Sequence, residues 1–166
     1  MKTAEFDTAR RFSDPDDVLR TVFGYDEFRP GQRKIIDAVL AGRDCIGLMP
    51  TGAGKSLTFQ IPAKILDGAV LVLSPLISLM KDQVDALVRT GFRAALLNST
   101  LTPDERQRTL AQLRAGELDI VYAAPEGLGE GLRSALAAIS SNVPPRCTVP
   151  ARRASAARHG IGPARA

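Results

Sequence analysis

The chain has 166 residues, 45% of them hydrophobic, with 22 basic and 18 acidic groups and a net charge of +4. That length and balance predict one soluble globular domain, and no stretch approaches the ~18 uninterrupted apolar residues of a membrane span. Residues 144–166 carry 5 of the 22 basic groups and none of the 18 acidic ones, so the rest of the chain is net −1 and global charge is no evidence of nucleic-acid binding.

Met1 to Arg11 includes Glu5 and Asp7 and has no apolar core, so no secretory signal is read there. Cys45 and Cys147 are too few and too far apart for a disulfide framework or a metal knuckle. These features predict a cytoplasmic protein.

Ser13-Asp14-Pro15-Asp16-Asp17 reads as a helix start, with a cap, a proline and acids in the first turn. Pro30 opens a second helix that carries Ile35, Ile36, Val39 and Leu40 on one side and ends near Gly42. Cys45 to Met49 is a short apolar run, expected to be a buried strand. Lys55 to about Lys64 is expected to be helical within the limit set by Pro62. Val70 to Leu73 predicts a second buried strand. Leu76, Met80, Val84, Leu87 and Val88 then recur at helical spacing as a core stripe, stopped by Gly91.

Ala94 to Leu97 predicts a third strand. Thr102-Pro103-Asp104-Glu105 reads as a capping box, and its helix ends at Gly116. Ile120 to Tyr122 predicts a fourth strand, and Leu128, Leu132, Leu136 and Ile139 a last helical stripe. Strands alternating with helices imply right-handed crossovers and a parallel α/β sheet. The domain is assigned to residues 1–143. In residues 144–166, Ala, Arg, Pro and Gly supply 17 of 23 positions, too little apolar surface to offset chain entropy, which predicts a disordered tail.

Thr51-Gly52-Ala53-Gly54-Lys55-Ser56 lies between the first expected strand and a helix, the context in which a glycine-rich loop cradles phosphate. Gly52 and Gly54 let the backbone turn so that successive N–H groups converge, and the following helix N-terminus adds positive potential. Lys55 can reach the outer phosphates as the candidate catalytic residue, and the Ser56 hydroxyl can ligate Mg²⁺. The first glycine of the strict eight-residue pattern falls at Met49. The alternative is a flexible strand-to-helix turn.

Three segments, Phe23-Gly24-Tyr25-Asp26-Glu27-Phe28-Arg29-Pro30-Gly31-Gln32, Met49 to Ser56, and Ser74-Pro75-Leu76-Ile77-Ser78-Leu79-Met80-Lys81-Asp82-Gln83, together resemble the RecQ family of superfamily 2 DNA helicases. Asn98-Ser99-Thr100 and Tyr122-Ala123-Ala124-Pro125-Glu126 also fit, and the resemblance covers about Val18 to Ile139. It implies an incomplete RecA-like phosphate-loop NTPase domain. Tyr25, Arg29 and Gln32 match the family's adenine-recognition motif; an aromatic face stacks on a base and an amide bonds its edge in both directions. Read without the resemblance, Tyr25 and Phe28 could instead be core. Thr51 to Ser56 match the ATP and Mg²⁺ positions. Ser74, Ser78 and Lys81 match a segment lining a single-stranded DNA path, where they would bond phosphates; the alternative is a solvated helix face.

Gly127 stands where the family usually has Arg, and no Asp-Glu-x-His occurs in the sequence. The resemblance therefore implies the N-terminal part of an ATP-dependent 3′–5′ DNA helicase of repair and recombination, acting on single-stranded and duplex DNA, with hydrolysis expected to be absent. The alternatives are a non-catalytic nucleotide- or DNA-binding module, or a fragment of another superfamily 2 (RNA) helicase. Acids number 0 in residues 144–166 against 11 in residues 28–143. Arg, Ala, Pro and Gly have GC-rich codons, so the expectation is that residues from about Asn142 onward are read out of frame; a native Arg-rich arm is the alternative.

Overall fold

The computed structural model describes residues 12–140. Its first helix, α1 (Pro15–Phe23), begins where the sequence places it: the Asp14 carboxylate accepts the Asp16 N–H at 3.0 Å, and Gly24, at φ 70°, closes the far end. Then follow α2 (Gln32–Leu40), α3 (Leu57–Ile65), β1 (Val70–Leu73), α4 (Ile77–Arg89), β2 (Ala94–Leu97), α5 (Pro103–Arg114), β3 (Ile120–Ala123), a 3-10 turn at Pro125–Gly127 and α6 (Glu130–Ser140). The capping box of α5 is formed: Glu105 N–H donates to the Thr102 hydroxyl at 3.3 Å and Thr102 N–H to the Glu105 carboxylate at 2.8 Å.

The three strands form one parallel sheet in the order β1-β3-β2. Val70 and Ala94 both face Ile120, so β3 sets the register of both neighbours. All four β3 residues are buried. Their side chains alternate between two helical layers, as a period of two requires. Val121 and Ala123 pack with Leu110 and Leu113 of α5 and Leu132 and Ala135 of α6. Ile120 and Tyr122 pack with Ala63 of α3 and Met80 and Leu87 of α4. A third cluster joins α1, α2 and α3 through Val18, Leu19, Ile36, Leu57 and Ile61. The architecture is the α/β parallel sheet with flanking helices that the sequence predicts.

Two expectations are corrected. Cys45 to Met49 is not a buried strand: no strand is assigned there, and Ile46 and Leu48 are each 92% exposed. A strand exists only by pairing with a neighbour, and among the described residues none lies alongside. The segment instead rests Gly47 on α2, so closely that a Cβ there would meet Ile35 Cδ1 at 2.5 Å. The sheet therefore has three described strands where the sequence predicts four. The apolar stripe of α4 is also only partly core. Met80 and Leu87 are buried, whereas Leu76 and Val88 are more than half exposed, because α4 presents only one edge of its stripe to the sheet. The predicted tail, residues 144–166, and its proposed frame change from Asn142 lie outside the described residues.

Asp119, at the entry to β3, ties three elements together. It accepts from Lys64 Nζ of α3 at 2.9 Å and, before β2, from Arg93 N at 3.0 Å and Arg93 Nη2 at 2.6 Å. The Lys64 ammonium also donates to the Gly91 carbonyl at 2.9 Å and lies 4.2 Å from the Phe92 ring centroid. Burial pushes the Asp119 carboxyl up, but the Arg93 and Lys64 bonds outweigh it and hold the group below the ordinary carboxylate value. Its contribution to stability is therefore full above the unfolded carboxylate value of about 3.9 and is lost as pH falls through the lower folded value. Asp119→Asn leaves Lys64 half-buried without its counter-charge. We expect it to destabilise the fold by about 3 kcal/mol in urea unfolding at neutral pH, with the difference from the parent shrinking below about pH 4. A difference that is constant down to acid pH would contradict the assignment.

Candidate functional site

The phosphate loop is shaped by glycine at two points, Gly52 at φ 80° and Gly54 at φ 72°, a left-handed backbone that other residues enter at a cost. Ala53 N–H closes a turn on the Pro50 carbonyl at 3.3 Å. Leu57 N–H and Thr58 N–H then bond back to the Gly54 and Lys55 carbonyls at 3.2 and 3.0 Å, so the loop runs straight into α3. Ser56 is the N-cap residue, and its hydroxyl makes no capping bond. It remains available as a ligand. Lys55 is exposed, and its ammonium donates to the Pro50 carbonyl at 3.1 Å. A neutral carbonyl is a weaker partner for an ammonium than a phosphate oxygen, so a polyphosphate can displace it.

The segment before α2 is fastened to this loop. Arg29 donates through its guanidinium to the Gly52 carbonyl. The Gln32 amide donates to the Ala53 carbonyl at 3.2 Å and the Gly54 carbonyl at 2.9 Å, and its oxygen accepts the Arg29 N–H at 2.8 Å. Gln32 is 1% exposed, a buried polar group with its hydrogen bonds satisfied. Tyr25 is 55% exposed, so it is not the core residue that the alternative reading allowed. Phe28 is half-buried at the edge of the core, packed against the cluster of α1, α2 and α3.

Tyr25, Arg29, Gln32, Gly52, Gly54 and Ser56 thus line one cleft of about 370 Å³, together with Glu27, Leu57, Phe23 and Gln60. Sequence reasoning missed these last four. Gln60 sits in a helical run whose pattern reads as core, and only the 3.5 Å contact of its amide with the Tyr122 hydroxyl reveals its orientation. A second depression, lined by Lys34, Asp37, Arg43 and Cys45, contains none of the candidate residues.

Among the described residues no group of three or more His, Cys, Asp or Glu could hold a metal ion. Ser56 therefore fits Mg²⁺ only as one ligand of an ion carried by the nucleotide's phosphates, the usual manner for this ion. Ser78 and Lys81 are exposed three residues apart on α4, which places them on one face. Ser74 follows β1 at the C-terminal edge of the sheet, where its hydroxyl accepts the Leu76 N–H at 3.3 Å. Asn98 and Ala124 follow β2 and β3 at the same edge. Among the described residues no helix is long and apolar enough to cross a membrane.

Gly54 and Gly52 differ in one respect. A Cβ on Gly54 would meet Gln32 Nε2 at 2.6 Å, whereas one on Gly52 would meet nothing within 4 Å. Both Gly→Ala changes should lose about 1–2 kcal/mol to the left-handed backbone. Gly54→Ala should lose more, since Gln32 must also leave its buried bonds. Equal unfolding midpoints for the two variants would contradict this.

Comparison with known proteins gives a consistent result. A family profile described as DEAD/DEAH box helicase matches residues 29–143. The ATP-dependent DNA helicase RecQ of Pasteurella multocida is 53% identical over 110 residues, which are 66% of this chain and 17% of that protein. The Synechocystis protein of the same name is 47% identical over 113 residues, 68% of this chain and 24% of that one. The Saccharomyces cerevisiae ATP-dependent helicase SGS1 is 43% identical over 112 residues, 65% of this chain and 8% of that one. The chain thus spans a quarter or less of the length of these relatives.

Proposed function

The chain belongs to the DEAD/DEAH box helicase family, on its RecQ branch, and on that premise we propose that it binds ATP with Mg²⁺ in the cleft between Tyr25 and the phosphate loop. The observation that supports this reading is the convergence of six candidate residues, Tyr25, Arg29, Gln32, Gly52, Gly54 and Ser56, on one cleft, with Lys55 and Ala53 in the same loop but outside its lining. Each has a role its chemistry suits. Tyr25 offers an exposed aromatic face for the adenine ring. Gln32 Oε1, which accepts one bond from Arg29 N–H, keeps a second lone pair for the adenine amino group. Lys55 moves from the Pro50 carbonyl to the outer phosphates, and Ser56 ligates Mg²⁺. The N-terminal turn of α3 adds N–H groups and favourable potential.

Along the C-terminal edge of the sheet, Ser74, Ser78 and Lys81 contact the phosphates of single-stranded DNA without reading its sequence. The relatives carry the name ATP-dependent DNA helicase, and for the protein to which this sequence belongs the proposal extends to 3′–5′ movement on DNA in repair and recombination. For this stretch of polypeptide the proposal is binding without turnover. Phosphoryl transfer depends on a positioned water and clamped charge, and the sequence contains no Asp-Glu-x-His segment to supply the acid. The second reading, a phosphate-loop protein of another class, has less support, since it gives the polar face of α4 no use.

Isothermal titration tests the nucleotide site. We expect the chain to prefer ATP over GTP, Lys55→Ala to abolish ATP binding, and Tyr25→Ala to weaken it about tenfold, the lower end of base–aromatic stacking. Equal ATP and GTP affinities would contradict the adenine assignment. The DNA track has a separate signature. Lys81→Ala should weaken binding to an oligo-dT strand and reduce the slope of log affinity against log salt by about 0.7; an unchanged slope would remove Lys81 from the track.

A further inference from the structure

Gln32 does more in this structure than a base-reading group needs to do. Both N–H groups of its buried amide are spent on the loop, at the Ala53 and Gly54 carbonyls, while Arg29 holds the Gly52 carbonyl. Three consecutive loop carbonyls are therefore anchored from one side by two residues of the segment that leads into α2. In a planar trans peptide the carbonyl of one residue and the N–H of the next point in opposite directions. Drawing the Ala53 and Gly54 carbonyls toward Gln32 thus turns the N–H groups of Gly54 and Lys55 away from it. Among the described residues neither N–H has a hydrogen-bond acceptor. Unused backbone N–H groups just before a helix N-terminus are the kind of donor that binds anions.

We propose that Gln32 is a positioning residue for the phosphate loop: by holding the loop carbonyls it aims the backbone donors at the polyphosphate, whatever base is attached. The proposal deepens the nucleotide reading above and rests on it. It also accounts for glycine at position 54, where a Cβ would lie 2.6 Å from the Gln32 amide nitrogen. A residue that only read adenine would leave the binding of a base-free polyphosphate unaffected. A residue that shapes the loop would not.

The test uses inorganic tripolyphosphate with Mg²⁺, which has no base, titrated into the full 166-residue chain. Gln32→Met keeps the side-chain length and neutrality and deletes both donors; Gln32→Ala also removes the packing. The expected result is at least a tenfold loss of tripolyphosphate affinity in both variants, with GTP weakened by the same factor and ATP by more, since ATP also loses the acceptor for its amino group. Amide hydrogen exchange without ligand gives a second readout. Exchange should quicken at the bonded loop amides of Ala53, Leu57 and Thr58 in Gln32→Met, while protection across β3 stays as in the parent, which separates loop release from general unfolding. If the parent binds tripolyphosphate and both variants bind it equally well, the proposal is overturned and the nucleotide site stands. If the parent binds neither ATP nor tripolyphosphate, the nucleotide reading falls and this proposal with it.

Discussion

The pairing of β3 with a parallel strand on each side is the constraint from which the rest of this structure follows. Four apolar residues, Ile120 to Ala123, set the register of both β1 and β2 and supply side chains to both helical layers. Because β3 is buried on both faces, α5 and α6 must cover one side and α3 and α4 the other. The parallel direction gathers the strand ends at one edge, so Ser74, Asn98 and Ala124 follow their strands there. In open α/β sheets this is the edge where ligands bind. At the opposite end Asp119 joins Lys64 and Arg93, locking α3 and the entry to β2 onto the start of β3.

From that frame the cleft is assembled in two steps. Packing of Leu57 and Ile61 against Val18, Leu19 and Ile36 fixes α3 to the first two helices. That contact brings the segment from Tyr25 to Gln32 beside the loop from Gly52 to Ser56, although more than twenty residues separate them in the chain. Once adjacent, the two are joined by hydrogen bonds from Arg29 and Gln32. Tyr25, the glycines of the loop and the Ser56 hydroxyl then share one opening. The Ser56 hydroxyl makes no capping bond, and in the same loop the Lys55 ammonium rests on the neutral Pro50 carbonyl.

What the sequence makes legible depends on how local the cause is. The helix starts at Asp14 and Thr102 are written in adjacent residues and appear as expected. The apolar runs at 70–73, 94–97 and 120–123 form strands because each finds a partner. The run at 45–49 is also largely apolar and does not, since strand formation is a property of a pair rather than of a segment. Periodicity marked the stripe of α4 but not how much of it the sheet would cover, and Leu76 and Val88 stay exposed. In the cleft, the loop from Thr51 to Ser56 and the segment from Tyr25 to Gln32 were readable as motifs. The burial of Gln32 and its bonds to loop carbonyls were not, because they depend on the docking of α2 onto α3. Asp119 gave no signal at all; a lone acid before a strand has no pattern, and its partners lie 55 and 26 residues away.

The central claim is that nucleotide enters the cleft between Tyr25 and the phosphate loop. A backbone amide NMR titration of the chain with ADP and Mg²⁺ tests it most directly. The account predicts that the largest shift changes fall on the amides of residues 52–56 and 25–32, with those of α5 and α6 unmoved. Changes centred on Lys34, Arg43 and Cys45, with the loop from Gly52 to Ser56 unperturbed, would contradict it.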